Sequence, residues 1–440
     1  MSESSLKVRR IRRIPDISGS HPNFLQRLGP GLITGAADDD PSGIATYSQV
    51  GAQFGLGMLW TMLFSFPLMA AIQEICARLG RITGAGIADI LRKHYPKPIL
   101  YCLVLLLCLA NVFNLGADVA AMGAAAQLVF RGSLNVYVLG FGLFSLFLQI
   151  YVPYRRYVRY LKWLTMVLFA YVATAFVVHV PWTTALHRTI IPSILWTTDY
   201  WMALVAVLGT TISPYLFFWQ ASQEAEDVRL NRGEGPLKKR PSQAFEQLRR
   251  IAVDTRVGMA FSNLVAFFII LITAVTLHTS GIGKGIQTSA DAAKALQPLA
   301  GNLAFLLFAL GIIGTGLLAI PVLAGSAAYA IAETFRWRAS LESKPRQAPK
   351  FYIILAAATV IGISLNFLGM DPIRALFWSA VVNGIVAVPL MVMLMIVSAN
   401  RRIVGKFPLS PHLHIIGWTA TIVMFLASLA FILSGVGGLF

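Results

Sequence analysis

Long apolar runs separated by short polar segments fill most of the chain. A bilayer core about 30 Å thick requires roughly 20 apolar residues per helix. Eleven stretches meet this requirement, and we predict membrane spans near 28–54, 57–77, 99–130, 136–152, 160–180, 199–223, 257–278, 298–332, 351–368, 373–398 and 413–437. The pattern therefore predicts an all-α integral membrane protein.

Composition agrees with this class and narrows the range of functions. Of the 440 residues, 57% are hydrophobic and 12% are charged. The three cysteines, Cys76, Cys102 and Cys108, are not spaced as CxxC, so neither a zinc site nor a disulfide framework is indicated. No nucleophile is accompanied by a positioned base, so we expect neither an enzyme nor a bound cofactor.

The formal net charge of +17 suggests nucleic-acid binding, but the placement of the basic residues argues against it. With the N-terminus inside, 31 of the 36 Lys and Arg residues fall in the predicted cytoplasmic segments 1–27, 78–98, 153–162, 224–256, 333–350 and 399–412. This is the positive-inside distribution of a multi-pass membrane protein. We expect a chain in the plasma-membrane lipid bilayer with a cytoplasmic N-terminus, an external C-terminus and no nucleic-acid partner.

Two of the predicted spans are interrupted by proline. In the first, Asp40 precedes Pro41 within "DDDPSG", and in the sixth, Ser213 precedes Pro214 within "TISPY". A residue before proline is pushed out of the α region, and proline suits the first turn of a helix. By the helical rise, each break lies roughly 20 Å into its span, near the bilayer midplane. The carbonyl ends of the half-helices and the Asp40 carboxylate are therefore predicted to form a cation site.

The breaks are five spans apart, so helices 1–5 and helices 6–10 enter the membrane in opposite senses. Inverted repeats of this kind are typical of secondary transporters. We divide the chain into a basic cytoplasmic tail (1–27), a first repeat (28–180), a second repeat (199–398) and an eleventh helix (413–437). The polar segment 224–256, rich in turn formers, is predicted to be a mobile cytoplasmic connection.

Four stretches of the sequence match a known transporter family. They are "LGPGLITGAADDDPSGIATYSQVGAQFGLGMLW" (28–60), "RLGRITG" (78–84), "NLGADVAA" (114–121) and "NRRIVG" (400–405). These stretches resemble the natural resistance-associated macrophage protein (NRAMP) family, proton-coupled importers of divalent transition metals. The resemblance implies a LeuT-type fold of about eleven helices, built as a 5+5 inverted repeat with helices 1 and 6 broken.

At the first break, the resemblance implies that one metal ligand is kept and another is lost. The family binds its ion through the Asp and Asn of a DPGN motif, and here Asp40 keeps the aspartate while Gly43 replaces the asparagine. Ser42 and Asp39 complete the ion-binding candidates on this segment, Asp39 as a second ligand or as a charge in the vestibule. Asp38 is a candidate hydrogen-bond acceptor at the helix end.

At the second break, the family supplies a backbone carbonyl and a methionine sulfur. Here Thr210 takes the carbonyl position, Ser213 replaces the methionine, Tyr215 replaces the histidine after the proline, and Gln220 stands at a second histidine position. The implied metal site is therefore Asp40, Thr210 and Ser213. Because a thioether favours transition metals whereas Mg²⁺ prefers oxygen ligands and retained water, we expect Mg²⁺ first, then Mn²⁺ or Fe²⁺.

Proton coupling is expected to be weak or absent. The family's acidic relay on the third span reads Asn111 and Asp118 here, so one carboxylate has become an amide. Tyr215 also replaces an imidazole that would titrate near neutral pH. Two residues keep alternative interpretations: Asp118 is a relay or a structural carboxylate, and Asn383 lines the site or bonds a neighbouring helix.

We therefore predict a secondary transporter whose substrate is a divalent metal cation, working as a monomer by alternating access. Two alternatives stay open. A small organic solute or a metal chelate could pass through the same midplane site, or the protein could be a membrane sensor that binds without transport.

Overall fold

The computed structural model describes residues 34–35, 37–153, 156, 161, 164–231, 233–279, 286 and 288–437. The regular structure of these residues is helical throughout. The α-helices are α1 Pro41–Phe54, α2 Trp60–Thr83, α3 Ile87–His94, α4 Lys97–Phe130, α5 Leu134–Tyr151, α6 Phe169–Thr174, α7 Trp182–Ile190, α8 Thr198–Thr211, α9 Pro214–Leu230, α10 Ala244–Thr273, α11 Ser289–Ala293, α12 Gln297–Ala300, α13 Ala304–Thr334, α14 Pro349–Leu365, α15 Pro372–Ala399, α16 Arg401–Val404 and α17 Pro411–Gly437. The predicted tail 1–27 and most of the predicted loop 153–162 lie outside the described residues.

Nine segments of the described chain are long and apolar enough to cross a membrane, judged by length and composition. They correspond to nine of the predicted spans. The other two, 28–54 and 160–180, lie partly outside the described residues. Their described parts include α1 and a 3-10 helix, Thr165–Leu168, that leads into α6.

The broken sixth span lies at the centre of the helix bundle. Of the most apolar window of residues 198–230, which contains α8 and α9, 89% is buried within the protein, against 22% for α5. Large apolar side chains on α5, such as Leu143 and Phe147, are exposed, as expected of a lipid-facing helix. The central position shields the irregular backbone of the break from lipid, where unpaired polar groups are not tolerated.

Both predicted helix breaks are confirmed. Asp40 is extended (φ −68°, ψ 168°) and caps α1, which starts at Pro41. Ser213 is likewise extended (φ −78°, ψ 127°) and precedes Pro214, the first residue of α9. Helical residues also precede each break, at 37–38 and in α8.

Each half-helix that follows a break packs closely on a neighbouring helix. A Cβ added to Gly51 on α1 would lie 2.4 Å from the Ile270 carbonyl oxygen on α10. A Cβ added to Gly80 on α2 would lie 2.2 Å from the Ala221 carbonyl oxygen on α9. Since α2 and α10 are the second helices of the two repeats, the same contact is made twice, and glycine lets both backbones approach.

The prediction of a mobile connection over 224–256 needs correction. α9 continues to Leu230 and α10 begins at Ala244, so most of this segment is helical. Within the intervening stretch, Leu237 is fully buried and its N–H donates to the Arg81 carbonyl at 3.2 Å. Some of its charges are paired across helices, as in the 2.7 Å contact between Arg250 and Glu224, whereas Lys238, Lys239 and Arg240 are exposed.

We expect Gly80→Val to destabilise the folded protein by about 1–3 kcal/mol. The valine side chain would clash with the backbone of α9, and only a separation of α2 from α9 would relieve the clash. Thermal unfolding of the detergent-purified protein measures this. Gly140→Val on α5 is the matched control, since none of the described residues lies within 4 Å of a Cβ built there. Equal unfolding temperatures for the two variants would contradict the close contact.

Candidate cation site

The Asp40 carboxylate is held by donors from two helices. Its Oδ1 accepts hydrogen bonds from the Ser42 hydroxyl and the Gly43 N–H, both at 2.7 Å. Its Oδ2 accepts from the Asn114 amide on α4 at 2.9 Å. Only 2% of Asp40 is exposed, so these contacts take the place of solvent.

These bonds limit how Asp40 can bind a cation. A carboxylate offers about four lone-pair positions over its two oxygens, and three of them already face donors. Tyr215 Oη lies 3.5 Å from Oδ2, beside the remaining position. Asp40 can therefore give a cation one oxygen contact but is poorly placed for bidentate binding.

Each proline leaves one backbone carbonyl without its helical partner. In an α-helix, the carbonyl of residue i accepts from the N–H of residue i+4, and proline has no N–H. Ala37 stands four residues before Pro41, and Thr210 stands four before Pro214. Both breaks therefore present a carbonyl oxygen at the end of a half-helix, where the helix dipole is negative.

Two hydroxyls next to Pro214 bond these carbonyls. Tyr215 Oη donates to the Ala37 carbonyl at 3.0 Å, and Ser213 Oγ lies 2.6 Å from the Thr210 carbonyl. A carbonyl oxygen has two lone pairs and a hydroxyl oxygen also accepts, so both groups keep a position for a cation or its water. The segment 213–215 thus joins the two breaks into one buried polar centre.

A side chain at position 43, such as the asparagine of the DPGN motif, would be in tight contact with its neighbours. A Cβ at this position would lie 3.3 Å from the Tyr47 ring and 3.5 Å from Asp40 Oδ1. Tyr47 Oη in turn lies 3.1 Å from the hydroxyl of Thr210, whose proton points to the Val207 carbonyl at 3.0 Å. A side chain at position 43 would therefore require the Tyr47 ring to shift by a few tenths of an ångström.

Asp38 and Asp39 turn towards α10. The Ser262 hydroxyl lies 2.6 Å from Asp38 Oδ2 and 2.9 Å from Asp39 Oδ1, and its single proton serves one of them at a time. The partners of Asp40 come from other elements. Within the residues that the structure describes, no three His, Cys, Asp or Glu side chains are grouped to hold a metal, so neutral oxygens must complete any cation shell around Asp40.

Two of the remaining candidates bind neighbouring segments. The Asn111 amide donates to the Leu323 carbonyl at 3.1 Å and to Ser326 Oγ at 2.6 Å, joining α4 to α13. The Gln220 carbonyl accepts from the Thr34 hydroxyl. The structure thus places Asn111 in an interhelical contact and connects Gln220 to the segment before the first break.

Asp118 and Asn383 are buried without well-formed hydrogen bonds in the described part of the chain. Asp118 lies on α4, one helical turn after Asn114, whose amide bonds Asp40. Asn383 lies on α15, which packs against α1 and α8. Both alternatives stated for each residue therefore stay predictions.

Sequence reasoning missed a second layer around the site. Asn114 bonds Asp40 through its amide nitrogen, and its Oδ1 accepts from Ser379 Oγ on α15 at 2.7 Å. Ser262 and Tyr47 were missed as well. A signal for Asn114 exists, since it stands one helical turn before Asp118 and so shares its face, whereas Ser379 and Ser262 lie far away in the sequence.

Comparisons with known proteins agree with this architecture. A crystal structure of a mutant of the Eremococcus coleocola manganese transporter superposes with a TM-score of 0.71 at 18% identity, covering 94% of this chain and 88% of that one. Mhp1, a nucleobase-cation-symport-1 family transporter, gives a TM-score of 0.57 at 12% identity, with 93% and 92% covered. These likenesses confirm the predicted all-α fold, the LeuT-type inverted repeat with broken helices 1 and 6.

Sequence comparison extends the match to family level. The chain is 24% identical to a protein of Deinococcus radiodurans named divalent metal cation transporter MntH, over 91% of this chain and 88% of that protein. The family model described as natural resistance-associated macrophage protein-like matches residues 31–434. This chain, a multi-pass membrane protein, therefore belongs to the Nramp family.

Proposed function

We propose that this chain moves a divalent metal cation across the plasma membrane by alternating access, with Mg²⁺ favoured over Mn²⁺ and Fe²⁺. The donor set at the two breaks carries the proposal: the Asp40 carboxylate, the Thr210 carbonyl and the Ser213 hydroxyl offer only oxygen, and all are buried. The Deinococcus radiodurans relative and the Eremococcus coleocola neighbour are named as transporters of divalent metal cations and of manganese, not as enzymes.

The limited coordination capacity of the site supports an ion that keeps its water. Asp40 has about one lone-pair position left, and the Thr210 carbonyl and the Ser213 hydroxyl already bond each other. Mg²⁺ dehydrates reluctantly and is usually held by one or two carboxylates and several waters. A soft ligand that would favour Mn²⁺ or Fe²⁺ is missing at position 213.

Weak or absent proton coupling follows from neutral groups around the site. Asn111 replaces a relay carboxylate, and its amide is engaged by Leu323 and Ser326. Tyr215 replaces an imidazole and directs its proton to the Ala37 carbonyl. By the resemblance, an amide and a phenol thus occupy two positions where the family has groups that exchange protons.

We assign the two gates of alternating access to contacts on either side of the site. On the predicted cytoplasmic side, Glu224 of α9 contacts Arg250 of α10 at 2.7 Å and Arg81 of α2 at 3.9 Å. On the other side, a ring nitrogen of His278 lies 2.9 Å from the Ala52 carbonyl. In the proposal these layers open in turn, the N-terminus is cytoplasmic, the C-terminus is external, and one chain suffices.

Proteoliposomes containing the purified protein are expected to take up Mg²⁺, with slower uptake of Mn²⁺ and Fe²⁺. Asp40→Ala should lower uptake by at least about tenfold, because it removes the carboxylate of the proposed donor set. Asp371→Ala is the matched control, since Asp371 caps α15 as Asp40 caps α1. Uptake of none of these ions would sink the proposal and favour an organic solute or a chelate, and binding without uptake would favour a sensor.

Ser213→Met is expected to raise the preference for Mn²⁺ or Cd²⁺ over Mg²⁺ by about tenfold, because a thioether then faces the cation. Competition uptake with paired ions measures the ratio. Ser398→Met is the control, since Ser398 is also a buried serine that bonds a carbonyl of its own helix. An unchanged ratio would show that residue 213 does not touch the ion.

Cation uptake is expected to leave the internal pH of the vesicles unchanged, because Asn111 and Tyr215 replace a carboxylate and an imidazole of the family's relay. A pH-sensitive dye trapped inside the proteoliposomes reports this during Mg²⁺ or Mn²⁺ influx. Acidification that follows metal influx and disappears in Asp40→Ala would demonstrate proton coupling and contradict the expectation.

A further inference from the structure

Gln73 on α2 is a buried amide that none of the interactions above uses. It has 0% exposure, and neither Oε1 nor Nε2 has a hydrogen-bond partner within the described residues. An unpaired amide in an apolar interior costs free energy. A polar side chain retained at that cost in a membrane helix indicates a functional role.

The depth of Gln73 in the membrane follows from its distance along the helix from the outer end of α2. Trp60, the first residue of α2, lies beside Tyr200 near the start of α8. Gln73 follows Trp60 by 13 residues, and Ser213 follows Tyr200 by 13. With the same rise per residue on both sides, Gln73 lies level with the second helix break.

The inner end of α2 gives the same level independently. The close contact between Gly80 and Ala221 joins α2 to α9. Gln73 precedes Gly80 by seven residues, and Pro214 precedes Ala221 by seven. Residues seven apart share a helix face, so Gln73 is on the face of α2 that packs on the broken helix, at the depth of Pro214.

We infer that Gln73 is a further residue of the cation site, whose Oε1 accepts a hydrogen bond from a water carried by the transported cation. The inference rests on the proposed function. A metal-bound water directs its lone pair at the metal and can only donate to the protein, so a partly hydrated ion needs acceptors around it. Asp40 and the Thr210 carbonyl supply two, and Gln73 adds a neutral acceptor from a third element.

The test compares Gln73→Leu and Gln73→Glu with Gln149→Leu in the full-length protein. Gln149 is a buried glutamine on α5, with its amide nitrogen bonded to the Ser145 carbonyl. The measurements are the KM for Mg²⁺ uptake into proteoliposomes and the increase in unfolding temperature caused by MgCl₂. We expect Gln73→Leu to raise KM by about tenfold and to abolish most of the MgCl₂ effect, because the acceptor is lost.

Two further readouts separate this role from packing. Without Mg²⁺, Gln73→Leu should unfold at the same temperature as the wild type or higher, since an unpaired amide is replaced by an apolar group of similar size. Gln73→Glu, which keeps an acceptor, should retain Mg²⁺ binding, and Gln149→Leu should keep the wild-type KM.

The inference is overturned if Gln73→Leu keeps the wild-type KM while Asp40→Ala loses uptake, and that result would leave the proposed function intact. It is equally overturned if Gln73→Leu and Gln73→Glu raise KM alike, because both then act by disturbing the packing. Absence of Mg²⁺, Mn²⁺ and Fe²⁺ uptake by the wild type would instead remove the proposed function on which the inference rests.

Discussion

Backbone polar groups inside a bilayer must find partners within the protein, because lipid offers none. Pro41 and Pro214 have no N–H, so the carbonyls of Ala37 and Thr210 lack the donors that a continuous helix would provide. The hydroxyls of Tyr215 and Ser213, which lie in one short segment, donate hydrogen bonds to these two carbonyls. The two half-helix ends are thereby held together, and the broken span must lie at the centre of the bundle, where 89% of its apolar window is buried.

Asp40 connects this centre to the helices around it. Its carboxylate bonds the start of α1 directly, and Asn114 extends the contact through Ser379 to α15. A cation that binds Asp40 therefore competes with or rearranges the hydrogen bonds that connect this carboxylate to α1, α4 and α15. The bound ion therefore interacts with different strengths when the helices are arranged differently. Such a difference is the thermodynamic requirement for coupling ion binding to a conformational change.

The parts of the molecule that follow from local chemistry were predictable from sequence. Proline fixes its own backbone and restricts its neighbour, so the breaks at Pro41 and Pro214 could be located within a residue. The partners of the break residues could not, because Asn114, Ser262 and Ser379 reach the site through helix packing. The segment 224–256 was mistaken for a mobile loop for a related reason: the contacts of Glu234 and Leu237 with Arg81 arise from packing against α2.

The loss of the DPGN asparagine at the first break goes together with a contact between the two breaks. Gly43 removes the asparagine ligand, and the Tyr47 ring lies 3.3 Å from where its Cβ would be. Tyr47 Oη then reaches the Thr210 hydroxyl at 3.1 Å, across to the second break. Asparagine at position 43 would press on the Tyr47 ring, whose hydroxyl makes this link between the breaks. In the proposed function, a water retained by the cation takes the place of the missing amide ligand, and the Tyr47 hydroxyl helps to join the two broken helices.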